Sequence, residues 1–419
     1  MYGTLSPNQS STCLVGDQIS LDQSIGDLFR SYGEEYIRIY RPSLHKIKLI
    51  RAIRLCKTPY LGGRTIKCKD CGKELKIYHS CGHSQCPICQ SIKRLQWQDN
   101  LRNKLFDVPY VHTVFTLPHE LNNLGKRYPR ELYNLLMRSA CKTIKTLSLD
   151  ADNLGGLPGM VSVLHTFGSD IKYHLHVHCL ITFGGLNKAG DWVWPKRKKQ
   201  IASYREMSKI FRKLFLRDLD RHILKGTIKV GTDWCELKSV IEKKRWNINN
   251  TYPTIETTLI ENYLSRYINR VAISRNRFNY IKEQKVEILY SDYRNQEKNK
   301  AAPKAIKRLD PLLAIHQIMI HVLPPYFQKA RYYGLHSVAT YKKLADKIPE
   351  KIKRNGQSIR TLFEILHHLL KLTPYQCEYC KSENYEIFEF PPDRSWARYI
   401  ILSNNKSPPI NSWHINSKI

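Results

Sequence analysis

Three histidines, His174, His176 and His178, alternate with apolar residues in the segment YHLHVHCLITF. Residues two apart in a β-strand point to the same face, so a strand here would present all three imidazoles on one side. Neutral imidazoles can chelate a divalent ion, and an ion with open positions polarises a phosphate oxygen. The alternative is a solvated or core histidine patch, but burying several imidazoles without partners is costly. The pattern therefore predicts a catalytic metal site with His176 and His178 as ligands.

The third ligand of this site has to come from a neighbouring strand. Residues 160–167 (MVSVLHTF) are a second strand candidate, and turn residues at 168–170 would join them to the histidine strand as a hairpin. Such a hairpin predicts His165 as the third ligand, with His112 on the strand candidate 110–117 as the alternative. We expect Mg²⁺ or Mn²⁺ as the catalytic ion, and histidine ligands favour Mn²⁺.

Two tyrosines four residues apart, Tyr263 and Tyr267, are the candidate nucleophiles. In the predicted helix 258–272 both phenols would lie on one face, and a phenolate can attack phosphorus to form a covalent phosphotyrosine. The same spacing recurs at Tyr32/Tyr36, Tyr36/Tyr40 and Tyr375/Tyr379. By spacing alone, core packing is the better explanation for each pair. The position after the histidine strand and the basic neighbours Arg266 and Arg270 favour Tyr263 and Tyr267.

Four cysteines form two C-x-x-C pairs, Cys68/Cys71 and Cys86/Cys89. Zinc prefers four tetrahedral thiolate or imidazole ligands, and a C-x-x-C turn places two sulfurs on one side of the ion. We therefore expect these four cysteines to form one closed structural Zn²⁺ site. Nearby residues that could replace a ligand or bind a second ion are Cys56, His79, Cys81 and His83. The pair Cys377/Cys380 has no second pair beside it, although His367 and His368 are nearby, so a helical segment is the simpler interpretation there and a second zinc site is the alternative.

The charge of the chain indicates a polyanionic partner. The sequence has 68 Lys and Arg against 36 Asp and Glu, a formal net charge of +32 over 419 residues. Phosphate neutralisation by Lys and Arg supplies most non-specific affinity for nucleic acid, and aromatic residues such as Trp192 and Trp194 can stack on unpaired bases. The alternative for such residues is a solvated charge run. The predicted DNA-binding residues are Lys196, Arg197, Lys198, Lys199, Arg266 and Arg270.

The elements that must position these residues define an α+β protein. Strand-like segments lie at 110–117, 160–167, 173–183 and 286–293, and helical segments at 21–56, 131–147, 203–225 and 258–272. We expect N-terminal helices with a zinc-binding module, a central antiparallel sheet with helices, and a mostly helical C-terminal region. The predicted divisions are a loose N-terminus at 1–20, a helical and zinc-binding domain at 21–105, a histidine-bearing domain at 106–300, a helical region at 301–390 and a weakly structured tail at 391–419.

The chain shows no recognisable signal peptide and no uninterrupted apolar run of membrane-spanning length. We therefore expect a cytoplasmic protein with no membrane partner, in which clustered cysteines bind metal rather than form disulfides.

The ordered motifs resemble those of HUH-type two-tyrosine rolling-circle insertion-sequence transposases that carry an N-terminal zinc-binding domain. The matching segments are CKTPYLGG (56–63), CKDCGKELKIYHSCGHSQCPICQ (68–90), HTVFTLPHEL (112–121), VLHTFGSDIKYHLHVHCLITFGGL (163–186), YLSRYINRVAIS (263–274) and HVLPPYFQKARYYGL (321–335). Their common order makes the resemblance more specific than any single motif, and it covers about three quarters of the chain.

The resemblance implies a palm-like antiparallel sheet that bears the HUH pair, His176 and His178, and it implies that Tyr263 and Tyr267 are the nucleophiles. It further implies that single-stranded element ends are cleaved and rejoined, with the cut 5′ end held as a phosphotyrosine. Such a protein would associate with nucleoid DNA in a prokaryotic cell. One departure bears on zinc ligation, because Gln85 precedes Cys86 where the family often has histidine. The essential tyrosine, the target sequence and the oligomeric state stay open.

Three other functions compete with this interpretation. A non-catalytic zinc-dependent nucleic-acid-binding protein would explain the charge and the cysteines, with histidines and tyrosines as structure. A replication initiator or conjugative relaxase would use the same chemistry but is not expected to share the zinc module and the HVLPPYF segment. A zinc-dependent RNA-modifying enzyme is disfavoured, since the glutamate expected beside a zinc-binding histidine is missing.

Overall fold

A central antiparallel sheet dominates the computed structural model. Its five strands are β3 (Tyr110–Thr116), β4 (Gly159–Phe167), β5 (Tyr173–Thr182), β8 (Ile248–Asn250) and β12 (Ala330–Gly334), in the spatial order β12-β4-β5-β3-β8. The structure describes residues 25–90, 96–97, 99–101, 103–231, 233–254, 273, 277–281, 285–293, 295–297, 300–353, 364 and 376–396. Strands β4 and β5 are almost wholly buried, which suits their content of β-branched and aromatic residues.

Two long helices cover one face of the central sheet. They are α4 (Pro129–Leu149) and α5 (Tyr204–Leu224), which follow the short helix α3 (Asn122–Arg127). Helix α5 begins at a capping box, in which the Ser203 hydroxyl accepts from the Glu206 backbone N–H while the Glu206 carboxylate accepts from the Ser203 N–H. Apolar residues of the strands, such as Leu164 and Val177, join both helices in one core. The opposite face of the sheet therefore carries the intervening residues, including the histidines.

A second core lies under the N-terminal helices α1 (Ile25–Tyr40) and α2 (Leu44–Leu55). It also includes helix α7 (Pro311–Met319) and a three-stranded antiparallel sheet of β9 (Phe278–Ile281), β10 (Lys285–Ser291) and β11 (Lys304–Leu309). Helices α1 and α7 pack directly against each other. The N-terminal helices are thus joined to a segment nearly 300 residues later in the chain by apolar burial.

A third sheet belongs to the cysteine-rich region. Its strands are β1 (Gly63–Cys68), β2 (Glu74–Tyr78) and β13 (Tyr385–Phe390), in the order β13-β1-β2. The remaining elements are the hairpin β6 (Gly185–Leu186) and β7 (Trp192–Val193), helices α6 (Trp234–Lys243) and α8 (Val338–Leu344), and the 3₁₀ turns Pro59–Leu61, His119–Leu121, Ala345–Lys347 and Glu350–Ile352.

The α+β class and the hairpin of β4 and β5 are confirmed. In the described part of residues 301–390, strands β11, β12 and β13 lie among the helices, so this part is less helical than predicted, and each of the three strands completes a sheet begun earlier. Edge strands have short, half-exposed sequences, so their apolar alternation is too weak to identify them. The proposed domain boundaries stay predictions. No helix in the described part of the chain has the length and apolarity that a membrane span needs.

Candidate metal centres and nucleic-acid interface

The hairpin of β4 and β5 brings three histidines to one point. His165 lies directly opposite His176 in the antiparallel register, and His178 is two residues further along β5 on the same face. One ring nitrogen from each of the three comes within 4.8 Å of the others. Two nitrogens bound to one ion at about 2.1 Å each are at most about 4.2 Å apart, so small ring rotations would let all three bind a single ion.

Burial favours the neutral form of an imidazole, which is the form that binds metal. His165, His176 and His178 are all buried. Desolvation lowers the pKa of His178 well below its usual value, and the neighbouring His165 and His176 lower it further. The ring of His178 is therefore neutral and able to bind an ion near neutral pH.

Hydrogen bonds orient two of the three rings. The Nδ1–H of His176 donates to the backbone carbonyl of His174 at 3.0 Å, which makes Nε2 the nitrogen whose lone pair can bind metal. The Nδ1 of His178 lies 2.9 Å from the Nε2 of His112, so one of these nitrogens donates to the other. His112, the alternative third ligand, is thereby placed behind His178 as a supporting residue. Burial lowers the pKa of His112 to about 3, which keeps it uncharged.

The donor set suits a catalytic rather than a purely structural ion. Three imidazoles on one face of a sheet leave other coordination positions open to a substrate oxygen. Among the residues that the structure describes, no carboxylate joins these three histidines in the metal-binding cluster. Nitrogen-only ligation favours Mn²⁺ over Mg²⁺, which prefers oxygen donors.

The predicted nucleophiles Tyr263 and Tyr267 lie outside the described residues, as do the predicted DNA-binding residues Arg266 and Arg270.

The cysteines form two groups of four rather than the single site predicted. Cys86 and Cys89 join Cys56 and Cys81, whereas Cys68 and Cys71 join Cys377 and Cys380. The prediction of one closed site from Cys68, Cys71, Cys86 and Cys89 is therefore wrong in its pairing. The interpretation of Cys377 and Cys380 as helical residues is also wrong, because they lie in a turn before β13. The C-x-x-C spacing fixes each pair locally but does not determine which pair meets which.

The first group, Cys56, Cys81, Cys86 and Cys89, lies at the N-terminal helices. Cys56 directly follows α2, and three of the four cysteines belong to the second hydrophobic core. The Sγ atoms of Cys81 and Cys89 are 3.7 Å apart. Four sulfurs at 2.3 Å around a tetrahedral zinc ion are about 3.8 Å from one another, and a disulfide would need about 2.05 Å. The group therefore fits zinc and excludes a disulfide between these two residues.

Gln85 provides a structural contact and no metal ligand. Its side-chain amide donates to the carbonyl of Leu323 at 3.2 Å, and its side-chain oxygen accepts from the Leu323 backbone N–H at 2.6 Å. This pair of hydrogen bonds fastens the loop before Cys86 to the segment that leads into β12. The residue that departs from the family pattern thus joins the cysteine region to the central sheet.

The second group, Cys68, Cys71, Cys377 and Cys380, lies at the surface. Its Sγ distances are 3.5 Å between Cys68 and Cys380 and 3.6 Å between Cys71 and Cys377, which again match tetrahedral zinc. A hydrogen bond from the Cys380 backbone N–H lowers the pKa of the Cys377 thiol to about 7. Thiolate is the form that binds metal.

The predicted basic segment lies on the surface with aromatic rings beside it. Lys196, Arg197, Lys198 and Lys199 are all exposed. Trp194 is 52% exposed and Tyr252 is 70% exposed, and the ammonium of Lys199 lies 5.3 Å from the centre of the Tyr252 ring. Tyr252 follows β8, an edge strand of the histidine-bearing sheet. Cations and exposed rings at one edge of that sheet are suited to an unpaired nucleic-acid strand.

Sequence reasoning missed Tyr252 and Lys329. The Lys329 carbonyl accepts from the Leu164 backbone N–H at 3.0 Å, so Lys329 lies beside β4 next to His165, and its charge contributes to lowering the pKa of His178. No local motif marks either residue, because both reach the site through pairing of distant segments. His112 was named from its strand, but its contact with His178 depends on the β3–β5 register.

Comparison with known proteins shows which family the chain resembles. Residues 28–117 match a family model described as a transposase zinc-binding domain, and residues 159–343 match one described as a putative transposase. A putative transposase of Sinorhizobium fredii is 32% identical over 74% of this chain and 79% of its own length. The transposase for insertion sequence element IS801 of Pseudomonas savastanoi is 26% identical over 80% of this chain and 82% of its own length. No solved structure matches at a significant level.

The sheet, the metal-binding side chains and these matches define a transposase, an enzyme class that acts on DNA. More narrowly, the chain belongs to the IS91-type family of insertion-sequence transposases, with the zinc-binding domain of that family at its N-terminal side. The family resemblance of the sequence motifs is thereby confirmed. All four cysteines of the first group lie within residues 28–117, so that group is the one covered by the zinc-binding domain.

Proposed function

We propose that this transposase cleaves and rejoins single-stranded DNA through a 5′-phosphotyrosine on Tyr263 or Tyr267, in rolling-circle transposition. The observation that carries the proposal is the buried cluster of His165, His176 and His178 on one hairpin. A Mg²⁺ or Mn²⁺ ion bound there would polarise the scissile phosphate and align the leaving oxygen. The family membership supports a DNA-cutting enzyme, and the histidine geometry supports this particular chemistry.

The residues of the chain would divide the reaction into two transfers. The phenol oxygen of one tyrosine attacks phosphorus, the bond from phosphorus to the 3′-oxygen breaks, and the phenol proton passes to that oxygen. The 5′ end is then held as a phosphotyrosine ester. A 3′-hydroxyl later attacks the same phosphorus, the tyrosine leaves and regains a proton, and the strand is rejoined. One phosphodiester is replaced by another at each step, so no external energy source is needed.

The other side chains of the site would position the strand. His112 holds the ring of His178 in place, and Lys329 adds positive charge next to His165, where a phosphate has to be neutralised. The exposed segment Lys196–Lys199 would bind phosphates further along, while Trp194 and Tyr252 offer faces for base stacking.

The test uses single-stranded oligonucleotides that tile both ends of the insertion sequence encoding the chain, labelled at the 3′ end. With Mn²⁺, the wild-type chain is expected to acquire the label covalently, visible as a shifted band after denaturing electrophoresis. Tyr263→Phe and Tyr267→Phe, singly and together, assign the nucleophile. Tyr293→Phe is the matched control, since Tyr293 is an exposed tyrosine outside the histidine-bearing sheet.

An adduct that survives in the double tyrosine variant would contradict the assigned nucleophiles. A wild-type chain that binds these strands yet forms no adduct with any of them would support a DNA-binding protein without this chemistry. An adduct formed only on replication or transfer origins, and never on the element ends, would instead indicate an initiator or relaxase.

A further inference from the structure

The exposed cysteine group is built from two turns with the same backbone conformation. In the first, the Gly72 N–H donates to the Cys68 carbonyl at 2.9 Å, and in the second the Lys381 N–H donates to the Cys377 carbonyl at 2.8 Å. In both turns the residue four after the first cysteine has a positive φ, +72° at Gly72 and +62° at Lys381. The matching conformation places both sulfurs of each turn on one side.

Each of these turns is closed by a second hydrogen bond. The N–H of Cys68 donates to the carbonyl of Lys73 at 2.9 Å, and the N–H of Cys377 donates to the carbonyl of Ser382 at 2.8 Å. The two cysteine pairs therefore lie in equivalent turns that face each other across the sulfur cluster. Lys381 adopts its positive φ without the freedom of glycine, a conformation that costs free energy unless the surroundings hold it.

A strand pairing aligns the two turns. Strand β13 runs antiparallel to β1 over six residue pairs, from Gly63↔Phe390 to Cys68↔Tyr385. A Cβ on Gly62, at a φ of +71°, would lie 2.8 Å from the Phe390 carbonyl oxygen, so the close approach of the segments requires glycine there. Since the pairing ends at Cys68, the cysteine turns extend from the same end of the ladder.

The sheet that carries these turns has little apolar burial of its own. Four of the five residues of β2 and four of the six residues of β13 are exposed. The ion pairs across the sheet, Arg64–Glu389 and Lys69–Glu386, are exposed as well and contribute little. A small sheet without a core needs another source of stability, and a structural metal is one such source.

We infer that Cys68, Cys71, Cys377 and Cys380 bind a second structural zinc ion, which fastens the C-terminal strand β13 to the N-terminal zinc-binding module. Cys377 and Cys380 lie beyond both stretches that match the family models, residues 28–117 and 159–343. The site is independent of the phosphotyrosine chemistry. Because Cys71 and Cys380 are exposed while Cys56 and Cys86 are buried, the second ion is released before the first.

The experiment counts zinc in the purified full-length chain by elemental analysis and native mass spectrometry. The wild type is expected to hold at least two zinc ions per chain, since the histidine cluster can also take zinc, and the double variant Cys377→Ser/Cys380→Ser one ion fewer than the wild type. The control Cys235→Ser removes an exposed cysteine outside both groups and is expected to keep the wild-type count. Fewer than two zinc ions in the wild type, or an unchanged count in the double variant, would overturn the inference.

A second measurement uses only the wild-type chain and therefore still tests the inference if the double variant fails to fold. A mercurial thiol reagent is added stepwise to the wild-type chain while a colorimetric chelator reports released zinc. Two successive releases of one ion each are expected, with peptide mapping placing the thiols modified during the first release at Cys71 and Cys380, after the exposed thiol of Cys235 has reacted. A single release, or first modification at Cys56 and Cys86, would contradict the second site.

Discussion

The histidine cluster and the cysteine groups are both suited to metal ions, yet they are assembled in opposite ways. The three histidines come from one hairpin and lie within a sheet whose apolar face is covered by two long helices. The exposed cysteine group joins turns 312 residues apart, measured between Cys68 and Cys380, on a sheet with little core. Four donors close a site and leave the ion a structural role, whereas three donors leave positions open for substrate. The difference indicates a structural role for metal at the cysteines, and under the proposed function it predicts a catalytic role for metal at the histidines.

The largest expected effect is the loss of local structure when zinc is removed. Binding of structural zinc in small domains contributes on the order of 10 kcal/mol to folding, so a zinc chelator should unfold the cysteine-rich region first. Hydrogen exchange followed by mass spectrometry should speed up in Gly63–Tyr78 and Tyr385–Phe390, with β4 and β5 staying protected. Equal protection in both regions after zinc loss would show that the cysteine-rich sheet does not depend on metal.

The next effect is on catalysis, with the fold retained. His176→Ala should reduce DNA cleavage by roughly 10³-fold, because several kcal/mol of charge stabilisation at the phosphate depend on the bound ion. The control His174→Ala removes an exposed side chain but keeps the backbone carbonyl, which still accepts the hydrogen bond from the Nδ1–H of His176. Single-turnover cleavage and thermal melting check both variants. A His176→Ala chain that cleaves at the wild-type rate would show that the cluster is structural.

A smaller effect is expected from the supporting histidine. His112→Ala removes the hydrogen bond to His178, and loss of such a partner weakens metal binding by about 10- to 100-fold. Mn²⁺ titration followed by electron paramagnetic resonance measures this change, and excess Mn²⁺ should restore most of the cleavage. His119→Ala is the control, since the His119 side chain is exposed. If excess Mn²⁺ failed to restore cleavage, His112 would have a role beyond positioning His178.

The smallest effect concerns the basic segment. Replacing Lys196 and Lys198 by Ala should weaken single-strand binding and reduce the slope of log affinity against log salt by roughly 0.7 per lysine that contacts a phosphate. Fluorescence anisotropy at several salt concentrations measures the slope. Lys300→Ala provides the control, since Lys300 is exposed and lies between β10 and β11, which belong to a different sheet. An unchanged slope would place the strand on another surface.

The histidine site could be predicted because its information is local. Alternation with a period of two fixes the face of a strand, and the turn between β4 and β5 is short enough to fix their pairing. The register next to the turn, Phe167↔Tyr173, would by itself set His165 opposite Leu175, and only the irregularity between His165 and Phe167 shifts it so that His165 lies opposite His176. The capped helix at Ser203 and the strand at 286–291 were predictable for the same reason, since capping and alternation are properties of neighbouring residues.

The pairing of the cysteines was decided by the tertiary structure. A C-x-x-C turn places two sulfurs on one side of an ion without help from the rest of the chain. The sequence therefore identifies cysteine pairs that suit zinc but does not indicate which two pairs share an ion. That choice depends on β13 joining β1 and on Cys56 being presented at the end of α2, contacts that only the folded chain makes. The same limit applies to Lys329 and Tyr252, which reach the histidine-bearing sheet from distant segments. Local sequence thus determined the chemistry of the ligands, and long-range strand pairing determined which ligands share an ion.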